Sequence, residues 1–358
     1  MNSSRISPMS GMSRRGVLAV GGSVGIGALL AACGGSSDKS SGDGTDSGSG
    51  SGATKSASAK PPAGPWTFTD DRKTAVKLDK TPTKLVAYVG SAAALHDYGV
   101  ECAGVFGPTT VKGGTADAQA GDLDVTKLTV IGNTWGEFNI EKYAALSPQL
   151  LISHMYEAPT LWYVPDESAK KILSIAPSVG INLKGVPLTT PLQRYAELAA
   201  SLGADMASAT NAAAKTRFEK ASADLRAAAK ASGGIKVMAA SGSADSFYVS
   251  TPASASDLSY YKSLGVDFIV PNKVEGGFFE TLSWENADKY QPDVIMLDNR
   301  TATLQPKDLA SKPTWAQLAA VKAGQVLGWP SEPIFSYAKC ADQIEALTKT
   351  ITAAKKVS

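Results

Sequence analysis

The chain has 358 residues, a formal net charge of +2, and 43% hydrophobic against 19% charged residues. That near balance, with no Lys/Arg run beyond the N-terminal segment, argues against a nucleic-acid partner. Three cysteines and two histidines, in no CxxC or paired-ligand spacing, argue against a zinc or copper site built from protein groups.

The chain opens with Ser13-Arg14-Arg15, an uncharged stretch from Gly16, and Leu30-Ala31-Ala32-Cys33. A basic start, a short apolar run and small residues before a cysteine predict an export signal over residues 1–32, cleaved so that the product begins at a lipidated Cys33. The apolar run is Gly-rich and shorter than the roughly 20 residues of a membrane span. Val17 and Ala19 stand where the twin-arginine pattern prefers an aromatic residue and Lys, so the export route stays open. Residues 33–65 are Gly, Ser, Asp, Thr and Lys with little that is apolar, and predict a flexible tether. The protein is thus expected outside the cytoplasm, held to the membrane by its lipid.

From Trp66 onward the pattern alternates strand and helix. Lys84–Val89 reads as a strand, Ser91–Tyr98 as a helix ended by Gly99, and Ala103–Phe106 as a second strand; Ile235–Ala239, Asp257–Leu264 ended by Gly265, and Phe268–Val270 repeat the scheme. Strands of continuous apolar character separated by helices predict mostly parallel sheets covered on both faces. Glu141 to Pro148 before Leu150–Ser153, and Glu285 to Pro292 before Val294–Leu297, share the spacing of Glu, Pro and strand. This weak repeat fits two similar lobes rather than a solenoid. Between them Asp205–Ser232 lacks Gly and Pro and is apolar at Ala214, Phe218, Ala221, Leu225 and Ala228, predicting a long helix. The expected fold is α/β: two α/β sandwich lobes with mostly parallel sheets, residues 66–204 and 233–358, joined by a long rigid helix over 205–232, with a ligand cleft between the lobes.

Several short elements, in order, resemble the helical-backbone class of ABC-transporter substrate-binding proteins, which deliver iron siderophores, haem or cobalamin. They are Pro82-Thr83-Lys84-Leu85-Val86-Ala87, Tyr98-Gly99-Val100, Ile131-Gly132, Asn139-Ile140-Glu141, Ser147-Pro148-Gln149, Ile172–Pro177, Leu282-Ser283-Trp284-Glu285, and Trp315–Gly324. Gln149 departs from the Asp usual at that strand entry. The resemblance covers Thr81–Ile351. It implies an importer's binding protein rather than an enzyme, a monomer with no cofactor of its own, and partnership with a membrane permease and its ATPase subunit. It further implies that Glu141 and Glu285 dock to permease arginines, although each also reads as an ordinary acid in the first turn of a helix.

In open parallel sheets ligands collect beyond the carboxyl ends of the strands. Aromatic residues are only 7% of the chain, yet they gather at such ends. From these loops Tyr88, Trp135, Tyr156, Tyr248, Phe278, Arg300 and Trp329 are the expected ligand-binding residues, forming a ring-walled cleft for a bulky, partly apolar ligand. A ferric siderophore already fills iron's coordination shell with hard oxygens and needs no protein donor. Only Arg300 is well placed to meet ligand oxygens, whereas a catecholate complex would favour several guanidinium groups. The expected cargo is therefore a hydroxamate or mixed ferric siderophore. A haem or corrinoid carrier, with His154 or Tyr156 as axial ligand, is the alternative within the class; an exported hydrolase is the alternative outside it. Gly21-Gly22-Ser23-Val24-Gly25 matches a nucleophile elbow but lies in the signal segment. Cys102 and Cys340 either pair or sit apart as buried thiols.

Overall fold

The computed structural model describes residues 60–358; the export signal, Cys33 and residues 33–59 of the tether lie outside the described residues. The remaining tether residues approach the first lobe: the Lys60 amide donates to the Gly203 carbonyl at 3.1 Å, and the Thr81 hydroxyl to the Pro62 carbonyl at 2.9 Å.

A short antiparallel hairpin, β1 (Trp66–Thr69) and β2 (Ala75–Leu78), precedes the first lobe. That lobe contains β3 (Leu85–Tyr88), α1 (Val89–Asp97), β4 (Gly104–Phe106), β5 (Thr129–Gly132), α2 (Ile140–Ala145), β6 (Leu150–Met155), α3 (Asp166–Leu173), β7 (Ser178–Asn182) and α4 (Thr189–Ser201). Its five strands are all parallel, in the order β5-β4-β3-β6-β7. Every residue of β3 and β6 is buried, because helices cover both faces of the sheet. Gly99, at φ +93°, closes α1 in the left-handed conformation that glycine adopts without strain.

A 23-residue helix, α5 (Ala209–Ala231), follows. It starts four residues later than the alanine pattern predicts, because Ser208 caps the Asn211 amide and Asp205 accepts from the Ala207 amide. At about 1.5 Å per residue it is roughly 35 Å long.

The second lobe contains β8 (Lys236–Gly242), β9 (Ser246–Ser250), α6 (Ser256–Ser263), β10 (Asp267–Phe268), β11 (Phe279–Ser283), β12 (Val294–Asp298), α7 (Pro306–Leu309), α8 (Pro313–Gln317), α9 (Ala319–Lys322), β13 (Val326–Trp329) and α10 (Tyr337–Ala353). Its sheet runs β11-β9-β8-β12-β13, with β10 beside β8, and β9 is antiparallel to both neighbours. The helix expected after Glu285 is a single 3-10 turn, Trp284–Asn286. Lys289 and Tyr290 both turn back onto the buried Glu280 of β11, and this pulls the segment out of helical continuation.

The last helix joins the halves. Ser336 donates to Asp97 at 2.5 Å, the Tyr337 amide to the Tyr98 hydroxyl at 3.3 Å, and Lys339 pairs with Asp122 at 2.8 Å, all in the first lobe. The body of α10 packs along α5, where Arg217 forks onto Glu345 at 2.8 and 2.6 Å. Beyond its end, Lys355 and Val357 bond to Gln325 and Asp293 of the second lobe. The apolar core of the first sheet runs through α5 and α10 onto one face of the second sheet; a separate cluster around Phe247, Trp284 and Trp315 fills the other face. Cys102 and Cys340 are separate, buried free thiols.

Candidate functional site

The carboxyl ends of β3 and β6 bring Tyr88, His154 and Tyr156 together. The loop from Glu157 to Pro165 lays Trp162 and Tyr163 over them, with Tyr163 in the left-handed region at φ +61°. Tyr88 meets His154 at 4.6 Å and Tyr163 at 5.3 Å, and Tyr156 meets Trp162 at 4.8 Å between ring centroids. Trp135 completes the wall, 4.7 Å from Trp162 and 5.1 Å from Tyr163. Its loop is fixed by Glu137, whose carboxylate accepts from the Asn133 and Thr134 amides and the Thr134 hydroxyl, bonds that hold its pKa below the usual range. Trp135 itself is 64% exposed, and an exposed indole on a braced loop is poised for a partner.

The second lobe answers with Arg300, just past β12, and with the segment after β13. Arg300 forks onto Asp298, its Nη2 at 2.8 Å, and reaches Glu332 with Nη1. Burial works against its charge, but Glu332 and Asp298 outweigh that and hold the guanidinium more firmly protonated than usual. Glu332 also spans the cleft: its Oε2 accepts from the Tyr88 hydroxyl at 2.7 Å, Gln119 Nε2 at 2.9 Å and Trp162 Nε1 at 3.1 Å. Thr301 adds a second crossing by donating to Asp117 at 2.7 Å. A cavity of about 240 Å³ remains beside these groups, lined by Gln119, Asn299, Arg300, Glu332 and Ile334 among others.

Burial, reinforced by Glu332, pushes the Tyr88 and Tyr156 hydroxyls well above the ordinary phenol value and Tyr163 up to about 12, so all three stay protonated. Burial also depresses His154 to about 3, and neither ring nitrogen has a partner. Among the described residues no three His, Cys, Asp or Glu side chains are grouped to hold a metal ion.

The structure thus brings Tyr88, Trp135, Tyr156 and Arg300 to one place. Trp329 lies at the end of β13 but is turned into the second lobe, 4% exposed, where its indole donates to Asp257 at 2.7 Å. Tyr248 and Phe278 belong to the β9–β11 edge: Tyr248 faces Phe279 at 5.0 Å, and Phe278 is covered by Lys184 of the first lobe at 4.9 Å. Glu141, in the first turn of α2, and Glu285, in the turn after β11, are both exposed. Sequence reasoning did not find Asp117, Gln119 or Glu332. Glu332 lies in Pro330-Ser331-Glu332-Pro333, which reads as a solvated turn.

Buried Asp257 and His154 make opposed demands on pH. Unfolded, His154 binds its proton near pH 6.5, folded only near 3, so its contribution to stability falls as pH drops between those values. Burial raises Asp257 to about 6 against about 3.9 unfolded, so its contribution falls as pH rises through that interval. Asp257→Asn, which keeps an acceptor for Trp329, should therefore stabilise the protein by about 2 kcal/mol more at pH 7.5 than at pH 4.5. Urea denaturation at the two pH values measures this, and an equal change at both would refute it.

A profile of the periplasmic binding protein family matches residues 86–333. Among solved structures, the ferric-siderophore receptor DesE of Streptomyces coelicolor is 55% identical; the match covers 82% of this chain and 100% of that one at a TM-score of 0.80. The petrobactin-binding protein YclQ of Bacillus subtilis (18% identity, 80% and 98% covered, TM-score 0.60) shares the fold, as does the iron uptake ABC transporter substrate-binding protein PiuA of Streptococcus pneumoniae (20%, 82% and 100%, 0.58). No curated protein matches the chain significantly. With the profile spanning more than half its length, and with two sheets bridged by a long helix, this chain belongs to the periplasmic binding protein family.

Proposed function

We propose that this protein is the receptor of an ABC importer that captures a ferric siderophore of neutral or positive charge, hydroxamate or mixed in type, and passes it to a membrane permease driven by a separate ATPase. In this reading it acts as a monomer, anchored outside the cytoplasm through lipid on Cys33, and performs no turnover. The observation that carries it is the charge of the ring-walled cleft. Among the described residues, Arg300 is the one cation at its centre and is already matched by Asp298 and Glu332, with Asp117 close by; Lys339, on the cavity wall, is paired with Asp122. A trianionic catecholate complex would meet this excess of carboxylate in a partly desolvated site, where like charges repel strongly. A complex of zero or positive charge meets aromatic faces and neutral tyrosine hydroxyls instead. The similarity at 55% identity to a ferric-siderophore receptor supports a ferric siderophore as the cargo.

An axial donor for haem is not offered by the two candidates, because His154 is 1% exposed beneath Tyr88 and Phe335, and Tyr156 is held away from the phenolate form. Tryptophan emission should quench saturably with a neutral ferric tris-hydroxamate and at least tenfold more weakly with its iron-free form. Haemin should give no saturable response. Absence of quenching across hydroxamate and mixed siderophores would sink the assignment.

A further inference from the structure

We propose that Glu332 sets the charge class of the cargo: its carboxylate occupies the donor nest that an anionic chelate would need, and so selects against such chelates. The inference rests on the reading of the cleft as a chelate site. Four donors converge on this one side chain, namely Tyr88, Gln119 and Trp162 of the first lobe and Arg300 of the second, and three of them share a single oxygen, Oε2. A carboxylate offers about four acceptor positions over its two oxygens, and four donors engage this one, three of them crowded on Oε2. Prolines 330 and 333 flank it and stiffen the segment that aims it into the cleft. Neutral hydroxyl, amide and indole donors together with one guanidinium are what an oxyanion-rich ligand would seek, and they are filled from within the chain.

The cavity beside Glu332, about 240 Å³, falls short of the roughly 300–1,000 Å³ of sites that enclose whole small molecules. In this proposal cargo displaces Glu332 from the nest, and its charge then faces the bound complex. A neutral or cationic chelate tolerates or gains from that neighbour, whereas an anionic one is repelled by it and must also compete with it for the same donors.

The test compares wild type with Glu332→Ala and the near-isosteric Glu332→Gln, both checked for folding by circular dichroism, using one neutral ferric tris-hydroxamate and one trianionic ferric tris-catecholate. Wild type should prefer the neutral complex. Both variants should gain at least tenfold in affinity for the trianionic complex while changing less for the neutral one. If wild type binds neither complex but the variants acquire the trianionic one, the role of Glu332 stands and the proposed cargo falls. If neither folded variant gains affinity for the trianionic complex, the inference is overturned, whatever the wild type binds.

Discussion

Replacing Arg300 with leucine is expected to destabilise the protein by about 3–5 kcal/mol, the cost of stranding buried carboxylates by removing their shared partner. Asp298 and Glu332 have side chains only 1% and 7% exposed, and both bond to the same guanidinium. Their negative charges are tolerable because Arg300 bridges them, and leucine would leave both close together without a counter-charge. Arg300→Lys keeps the charge but loses the fork onto Asp298, so it should fall between wild type and leucine. Adding Glu332→Gln to Arg300→Leu should return part of the loss by withdrawing one of the stranded charges. Urea denaturation of the four proteins reads these differences directly. A loss below about 1 kcal/mol for Arg300→Leu would mean that the cluster is solvated and behaves like a surface pair.

Reversing both exposed glutamates, Glu141→Lys together with Glu285→Lys, should leave chelate binding within twofold of wild type and reduce uptake by the cognate permease at least tenfold. Both side chains are exposed, Glu141 in the first turn of α2 and Glu285 in the 3-10 turn after β11, one per lobe. Glu285 is held in its charged form by its own amide and Ser283, consistent with a carboxylate offered outward. Each single reversal should give a partial defect, because one lobe would still engage. Uptake of iron-loaded siderophore into cells, beside fluorescence titration of the purified variant, separates the two steps. Normal uptake by the double variant would return both glutamates to the plainer role of acids in a first turn.

The sheets were legible because their strands are buried on both faces: Leu85–Tyr88, Leu150–Met155 and Val294–Asp298 show no alternation, and Gly99 and Gly265 mark the ends of helices α1 and α6. The hairpin of Trp66–Thr69 and Ala75–Leu78 was not, since four-residue strands alternating buried and exposed give little periodic signal. The internal repeat misled at Glu285, where equal spacing hid a different local balance, with Lys289 and Tyr290 drawn back to Glu280. At the site, aromatic rings after strands pointed to Tyr88, Trp135 and Tyr156. Glu332, which accepts from Tyr88, Gln119 and Trp162 across the cleft, left no trace, because nothing local distinguishes a buried, four-fold partnered glutamate between prolines from one in water. Trp329 is the converse case, a ring at a strand end whose indole donates to buried Asp257, a partner the sequence did not reveal.

The chain passes from its first half to its second through α5, comes back after β13, and crosses again through α10, whose start is clasped to Asp97, Tyr98 and Asp122. If the protein is the receptor proposed above, two helices crossing in this way should leave little room for a wide swing, and its empty outline should nearly match the full one. A transporter feeling only the outer contour would then accept vacant copies as readily as laden ones. Import would follow the fraction of receptors carrying iron rather than their total number, and overproducing the receptor under scarcity would slow delivery by crowding the gate with idle visitors.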